Sequence, residues 1–154
     1  MQKKVVKKVA VKKIAKKTTA KKAVKKPAGE HISRITKHDP AREQRIGYEI
    51  VVDAYDSNER AIGWYCSLED TIENKVRCRC RKTCSMSPLT VGDEVDVLEM
   101  APQDDCEREM LVFVQWNDRK LAVPLEQLEP ISGDPKAIEI IEDWLYWCLM
   151  GYEF

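Results

Sequence analysis

The stretch "VGDEVDVLEMAPQDDCEREMLVFVQWNDRKLAVPL", residues 91–125, decides the fold. Val95 and Val97 alternate with acids in "EVDVLEM", the period-two pattern of a half-buried strand. "EMLVFVQW" reads as a second strand, "NDR" as a turn, and "KLAVPL" as a third strand with Pro124 near its end. Short strands with tight turns predict closure, because an open edge leaves backbone N–H and C=O groups unpaired. The run from Val91 to Ile131 therefore predicts a small SH3-like or Tudor-like β-barrel, which says nothing by itself about function. Between the first two strands, "APQDDCERE" is a hairpin loop at one rim. It places Asp104, Asp105, Glu107 and Glu109 within six residues, with only Arg108 among them. Loops of this kind are where binding residues collect.

Helices flank the barrel on both sides. Asp39-Pro40 is a helix start, with Asp as N-cap and Pro at the first helical position. Ile46, Ile50 and Ala54 follow at steps of four, although the β-branched run in "EIVVD" argues for a strand. A second helix occupies "DSNERAIGWYCSLEDTIE", where Asp56 and Glu59 have the spacing of a capping box. Ala61, Trp64, Tyr65, Leu68 and Ile72 form its apolar stripe, read as core. In "GDPKAIEIIEDWLYWCLMGYEF", Asp134 caps, Pro135 opens the helix and Gly151 ends it. Ala137, Ile141, Trp144, Leu145 and Cys148 form its buried face, with Trp144 and Trp147 packing onto the barrel. The expectation is an α+β fold with residues 39–154 as one acidic domain and residues 1–38 as a disordered lysine-rich tail.

The formal net charge of zero hides a division. Residues 1–45 carry 16 Lys and Arg against 3 Asp and Glu, a net of +13, and residues 46–154 carry 10 against 23, a net of −13. In the low-complexity opening, lysine pairs begin at positions 3, 7, 12, 16, 21 and 25. Steps of four and five carry the pairs around a helix, so no single face forms and no core can be built. This segment resembles the Lys-Ala-rich tails of linker histones and some bacterial histone-like proteins. Its functional reading is sequence-blind contact with DNA or RNA by counterion release, with Lys12, Lys13, Lys16, Lys17, Lys21 and Lys22 as candidates. The plainer readings are a solubilising arm, or an arm folded back onto its own acidic body.

No apolar run reaches the ~20 residues a membrane span needs. The opening residues lack the apolar core of a secretory signal, and they are Lys-rich where transit peptides favour Arg and Ser. The chain is therefore placed in the cytoplasm as a monomer with no membrane partner, and its six cysteines are expected to be reduced. Cys78, Cys80 and Cys84 form C-x-C-x3-C, whereas zinc usually takes C-x2-4-C pairs with His. The preferred reading is ordinary reduced thiols. With both histidines, His31 and His38, outside the acidic body, Ser-His-Asp and Cys-His chemistry have no base there, and no enzyme is expected.

Two further acid clusters accompany the loop. Glu69, Asp70 and Glu73 lie in the last turns of the second helix, where negative charge opposes the macrodipole. Glu139, Glu142 and Asp143 lie on the last helix. A like-charge pair four apart costs only ~0.2–0.5 kcal/mol, so a solvated acidic face accounts for any one cluster. Three clusters in one body call for more. Hard oxygen ligands without His or Cys suit calcium or magnesium, and dense, loop-borne carboxylates favour calcium, which tolerates irregular geometry. An EF-hand is excluded: the pattern starts at Asp56 and Asn58, then fails at Arg60, Ala61 and Ser67. The candidate metal ligands are Glu69, Asp70 and Glu73 in one site and Asp104, Asp105 and Glu107 in another.

From about Arg42 onward the chain resembles the cyanobacterial calcium-binding protein family CcbP. The matching stretches are "EIVVDAYD", "ERAIGWY", "LED", "SPL", "MAP", "CEREM", "LAVPL", "QL", "EDW", "YW" and "GYEF". The resemblance implies calcium binding without EF-hands, in sequestration or signalling. It carries over Glu69, Asp70, Glu107, Glu109 and Asp143 as acids in matching stretches. The chain departs from the family pattern at "NKV", residues 74–76, at the basic "RCRCRK" that follows, and in the lysine tail. The function expected is a calcium buffer or sensor. The alternative is a nucleic-acid-binding, chromatin-associated module of basic tail and Tudor-like barrel.

In the first reading the acidic body holds the arm until calcium neutralises it and releases the arm toward nucleic acid. Calcium is then expected to tighten binding to DNA at low salt, where screening is weak. Equal DNA affinity in calcium and in chelator would sink this switch.

Overall fold

The computed structural model describes residues 34–154. The lysine-rich segment and its candidate contacts Lys12, Lys13, Lys16, Lys17, Lys21 and Lys22 lie outside them. The described elements are α1 (Pro40–Arg45), a π turn (Ile46–Ile50), α2 (Ser57–Thr71), five strands and α3 (Pro135–Leu149). The strands are β1 (Val76–Cys80), β2 (Glu94–Met100), β3 (Leu111–Trp116), β4 (Arg119–Pro124) and β5 (Leu128–Ser132).

The strands form one antiparallel sheet in the order β4-β3-β2-β1-β5. It is open: β4 and β5 are its edges and do not pair, which corrects the expected closed barrel. Only the short 3-10 turn Leu125–Gln127 joins these edges. Four chain steps span at most about 14 Å, while five flat strands would hold their edges about 19 Å apart. The sheet must therefore curl without sealing. Two strands account for the difference from expectation. β5 takes an edge, and β1 lies in "VRCRC", where arginines alternate with small apolar residues. Val76, Cys78 and Cys80 are buried while Arg77 and Arg79 face out. The β3–β4 hairpin turns on Asn117 and Asp118, both at positive φ, as a two-residue loop requires.

The helix boundaries follow the expected caps. Asp39 accepts the N–H groups of Ala41 and Arg42, Asp56 accepts that of Glu59, and Asp134 accepts those of Lys136 and Ala137. Glu59 completes the box one residue early, accepting the N–H of Tyr55 at 2.6 Å. Gly151, at φ 78°, ends α3 as expected. "EIVVD" is not a strand. Ile46 and Ile50 are buried through the π turn and the chain then leaves the helix, with Ala54 in the loop beyond. Gly63 explains the close fit there, since a Cβ at this position would lie 2.3 Å from the Ile50 carbonyl oxygen.

The stripe Ala61, Trp64, Tyr65, Leu68 and Ile72 is buried as expected. Trp144 and Trp147, expected against the sheet, instead pack edge-on to Trp64 of α2, at 5.1 and 5.6 Å between ring centroids. Ile35, ahead of α1, joins the same core.

The third acid cluster has a structural role. Asp143 is fully buried and receives Arg42 Nη1 at 2.7 Å, Arg45 Nε at 2.6 Å and Arg45 Nη2 at 2.7 Å. Glu142 pairs with Arg42 at 3.3 Å and Glu139 with Arg45 at 3.1 Å. These pairs fasten α1 to α3. Removing one member of a buried pair strands the others without compensation, so Asp143→Ala is expected to cost about 3–5 kcal/mol in denaturant unfolding. A loss below about 1 kcal/mol would mark the pair as a surface contact.

Candidate metal centre

The 101–110 loop is anchored from within. Ala101, Cys106 and Met110 are buried, while Asp104, Asp105, Glu107 and Glu109 are exposed. Cys106 Sγ accepts the Leu111 N–H at 3.4 Å and lies 3.6 Å from the Leu111 carbonyl oxygen. Burial pushes its thiol pKa up. A 3-10 turn, Gln103–Cys106, carries Asp104 and Asp105. The loop thus buries Ala101, Cys106 and Met110 and projects its carboxylates into solvent.

Three acid groups surround α2. At its C-terminal end, Glu69, Asp70 and Glu73 line an open cavity of about 510 Å³ together with Glu99 of β2. Glu99 is already engaged by Lys120. Glu69 accepts the hydroxyl of Tyr65 at 3.2 Å. Along the earlier turns of α2, from Asn58 to Tyr65, Asp104 and Glu107 share a narrow cleft of about 30 Å³. Asp105 sits on the same turn, exposed. On the other side of the loop, Glu107 and Glu109 meet Glu126 and Glu153 around a cavity of about 480 Å³. Tyr65 links the first two groups, so both expected sites lie along one side of α2.

The acids of the sheet, and Glu126 beside it, are matched by cations. Arg77 reaches Glu94 and Asp96, Arg79 reaches Glu94 and Glu129, and Arg81 and Lys82 reach Glu126. The basic run that follows Lys75 therefore neutralises acids of the sheet and its edge, and makes no ion pair with Glu69, Asp70 or Glu73. Among the described residues, no three Asp, Glu, His or Cys side chains converge closely enough to hold an ion. Carboxylates with no cation between them repel and stand apart. Cys78 and Cys80 point into the core, and burial raises the Cys78 thiol to about 12 and that of Cys80 upward. Their spacing is strand alternation, with half-buried Cys84 in the loop beyond. Glu126 and Glu153 lie far in sequence from the loop acids, at 17 or more residues from Glu109. Only the fold brings them to the loop.

A family profile described as calcium binding, that of the CcbP proteins, matches residues 44–148. The chain belongs to the CcbP family. The crystal structure of Anabaena CcbP is 40% identical and superposes with a TM-score of 0.67, covering 77% of this chain and 97% of that one. A solved calcium binding protein in the calcium-binding form is 39% identical, with a TM-score of 0.67 over 77% of this chain and 98% of its own. No curated protein sequence matches the chain. CcbP thus accounts for the acidic body. No helix among the described residues of this CcbP chain is long and apolar enough to cross a membrane.

Burial, and then the neighbouring Glu69 charge, raise the Tyr65 phenol from its ordinary 10 to about 12. A raised acid favours its neutral form in the folded state. The stability it contributes is whole below pH 10 and is lost as pH rises from 10 through 12. Ultraviolet titration should show this phenol ionising near 12, and Glu69→Gln should move it down toward 10. An unmoved midpoint would separate Tyr65 from the acidic strip.

Proposed function

We propose that this chain binds calcium through carboxylates gathered along α2, as a buffer or sensor without EF-hands. The observation that carries the proposal is how the acids divide. Those on the sheet and on α3 are matched by Arg and Lys, whereas Asp70, Glu73, Asp104, Asp105, Glu107 and Glu109 make no ion pair among the described residues. The unmatched acids include five of the six named from sequence, and the sixth, Glu69, is held only by Tyr65. Glu69, Asp70 and Glu73 form one site, and Asp104, Asp105 and Glu107 the other. Carboxylate oxygens alone, on a loop and a helix end, suit a large hard cation with flexible coordination. At the end of α2 a divalent ion would also relieve the unfavourable macrodipole. Family membership supports the same reading. The lysine-rich segment adds a polycation, read as the part that meets DNA or RNA.

Calorimetry on the full chain is expected to show calcium binding in preference to magnesium. Asp70→Asn and Glu107→Gln should each weaken one site at least about tenfold, the free-energy scale of a lost charged ligand. Calcium at about a hundredfold over its Kd should add about 2.7 kcal/mol, raising Tm by about 5–10 °C. A flat calorimetric trace and an unchanged Tm would overturn the proposal.

A further inference from the structure

We infer that the cavity between the 101–110 loop and the C-terminal end of α3 is a docking groove for the chain's own lysine-rich segment. Two chemistries meet there. Glu107, Glu109 and Glu153 stand at the groove without ion-pair partners among the described residues, while Glu126 is already held by Arg81 and Lys82. The wall is aromatic, formed by Trp144, Trp147, Tyr152 and Phe154. Trp144 stacks on Phe154 at 5.6 Å and Trp147 lies 4.9 Å from Tyr152, so the wall is built of two ring pairs. Trp144 is 4% exposed and its indole N–H has no acceptor.

A calcium ion answers only the carboxylates, because it coordinates oxygen and gains little from an aromatic face. A lysine-bearing peptide answers both the carboxylates and the aromatic wall. Its ammonium meets the carboxylates, and its four-carbon stem and charge lie against the indole and phenol faces.

The occupant is identified by charge and by where it enters. Residues 1–33 hold 12 lysines and one acid. The described chain that follows them, Asp39 to Glu43, is tied to the groove wall. The Asp39 N–H donates to the Tyr146 hydroxyl at 3.4 Å, and Tyr146 donates to Glu43 at 2.5 Å. Tyr152, part of the groove wall, donates to the same carboxylate at 2.9 Å. Lys25 precedes Asp39 by 14 residues, a reach of up to about 50 Å, so length does not limit contact. Tethering makes the encounter intramolecular, at an effective concentration on the order of millimolar. Glu107 belongs to both the groove and the proposed calcium site, so segment and calcium compete. That competition rests on the calcium reading, whereas the docking does not.

Zero-length carbodiimide cross-linking of the full chain at low salt, mapped by mass spectrometry, tests this. Cross-links within single chains are expected from the lysines of residues 3–26 to Glu107, Glu109 and Glu153. Yields should exceed those at Asp70 and Glu73, exposed unpaired acids elsewhere, by about fivefold or more. Glu153→Gln, a surface change, should lower the yield at Glu107 and Glu109 by about half. Equal yields at Asp70 and Glu73, links only between chains, or no links would each overturn the docking. Millimolar calcium should suppress the Glu107 link. A link that persists unchanged would overturn the competition, and with it the calcium site at Glu107, while the docking stands.

Discussion

Trp64 lodged between Trp144 and Trp147 is the joint on which the rest of the molecule depends. It is fully buried and meets both rings edge-on, the arrangement that aromatic quadrupoles favour. This joint sets how α2 crosses α3. The crossing in turn lays the end of α2 beside Leu98–Met100 and its first turns beside the acidic loop. Gly63, next in sequence, lets the Ile50 carbonyl approach the same helix closely. A larger residue there, or a smaller one at position 64, would displace the surfaces that carry the charges.

Around that joint the charged groups divide the work. Arginines on α1 and β1 neutralise the carboxylates that hold elements together, with Asp143 the most deeply placed. The acids left over lie on the 101–110 loop and at the end of α2, where even Asp70, which shares a cavity with Arg45 and Lys136, makes no ion pair among the described residues. Their mutual repulsion is tolerable only because they are exposed and screened. A cation from solution, or from another part of the chain, would relieve it.

Much of this was legible in the sequence. Caps at Asp39, Asp56 and Asp134, the stop at Gly151 and the stripe on α2 are local signals, and local chemistry decides them. The family resemblance rested on short stretches in a fixed order and extended over most of the body. What failed was longer in range. Closure of the sheet depends on how β4 and β5 meet, which alternation along one strand does not encode. β1 was hidden because its outward positions are arginines whose partners lie on β2 and β5. The role of Asp143 was hidden likewise, since its partners stand 98 and 101 residues away. Glu126 and Glu153 joined the loop acids only through the fold.

The indoles of Trp64, Trp144 and Trp147 lie close enough to share excitation energy, and two of them border the groove beside Glu107 and Glu109. Trp116, half-buried on β3, stands outside that trio. The molecule therefore carries its own optical gauge. Whatever enters the groove changes the polarity around a coupled chromophore, while a separate one supplies the reference.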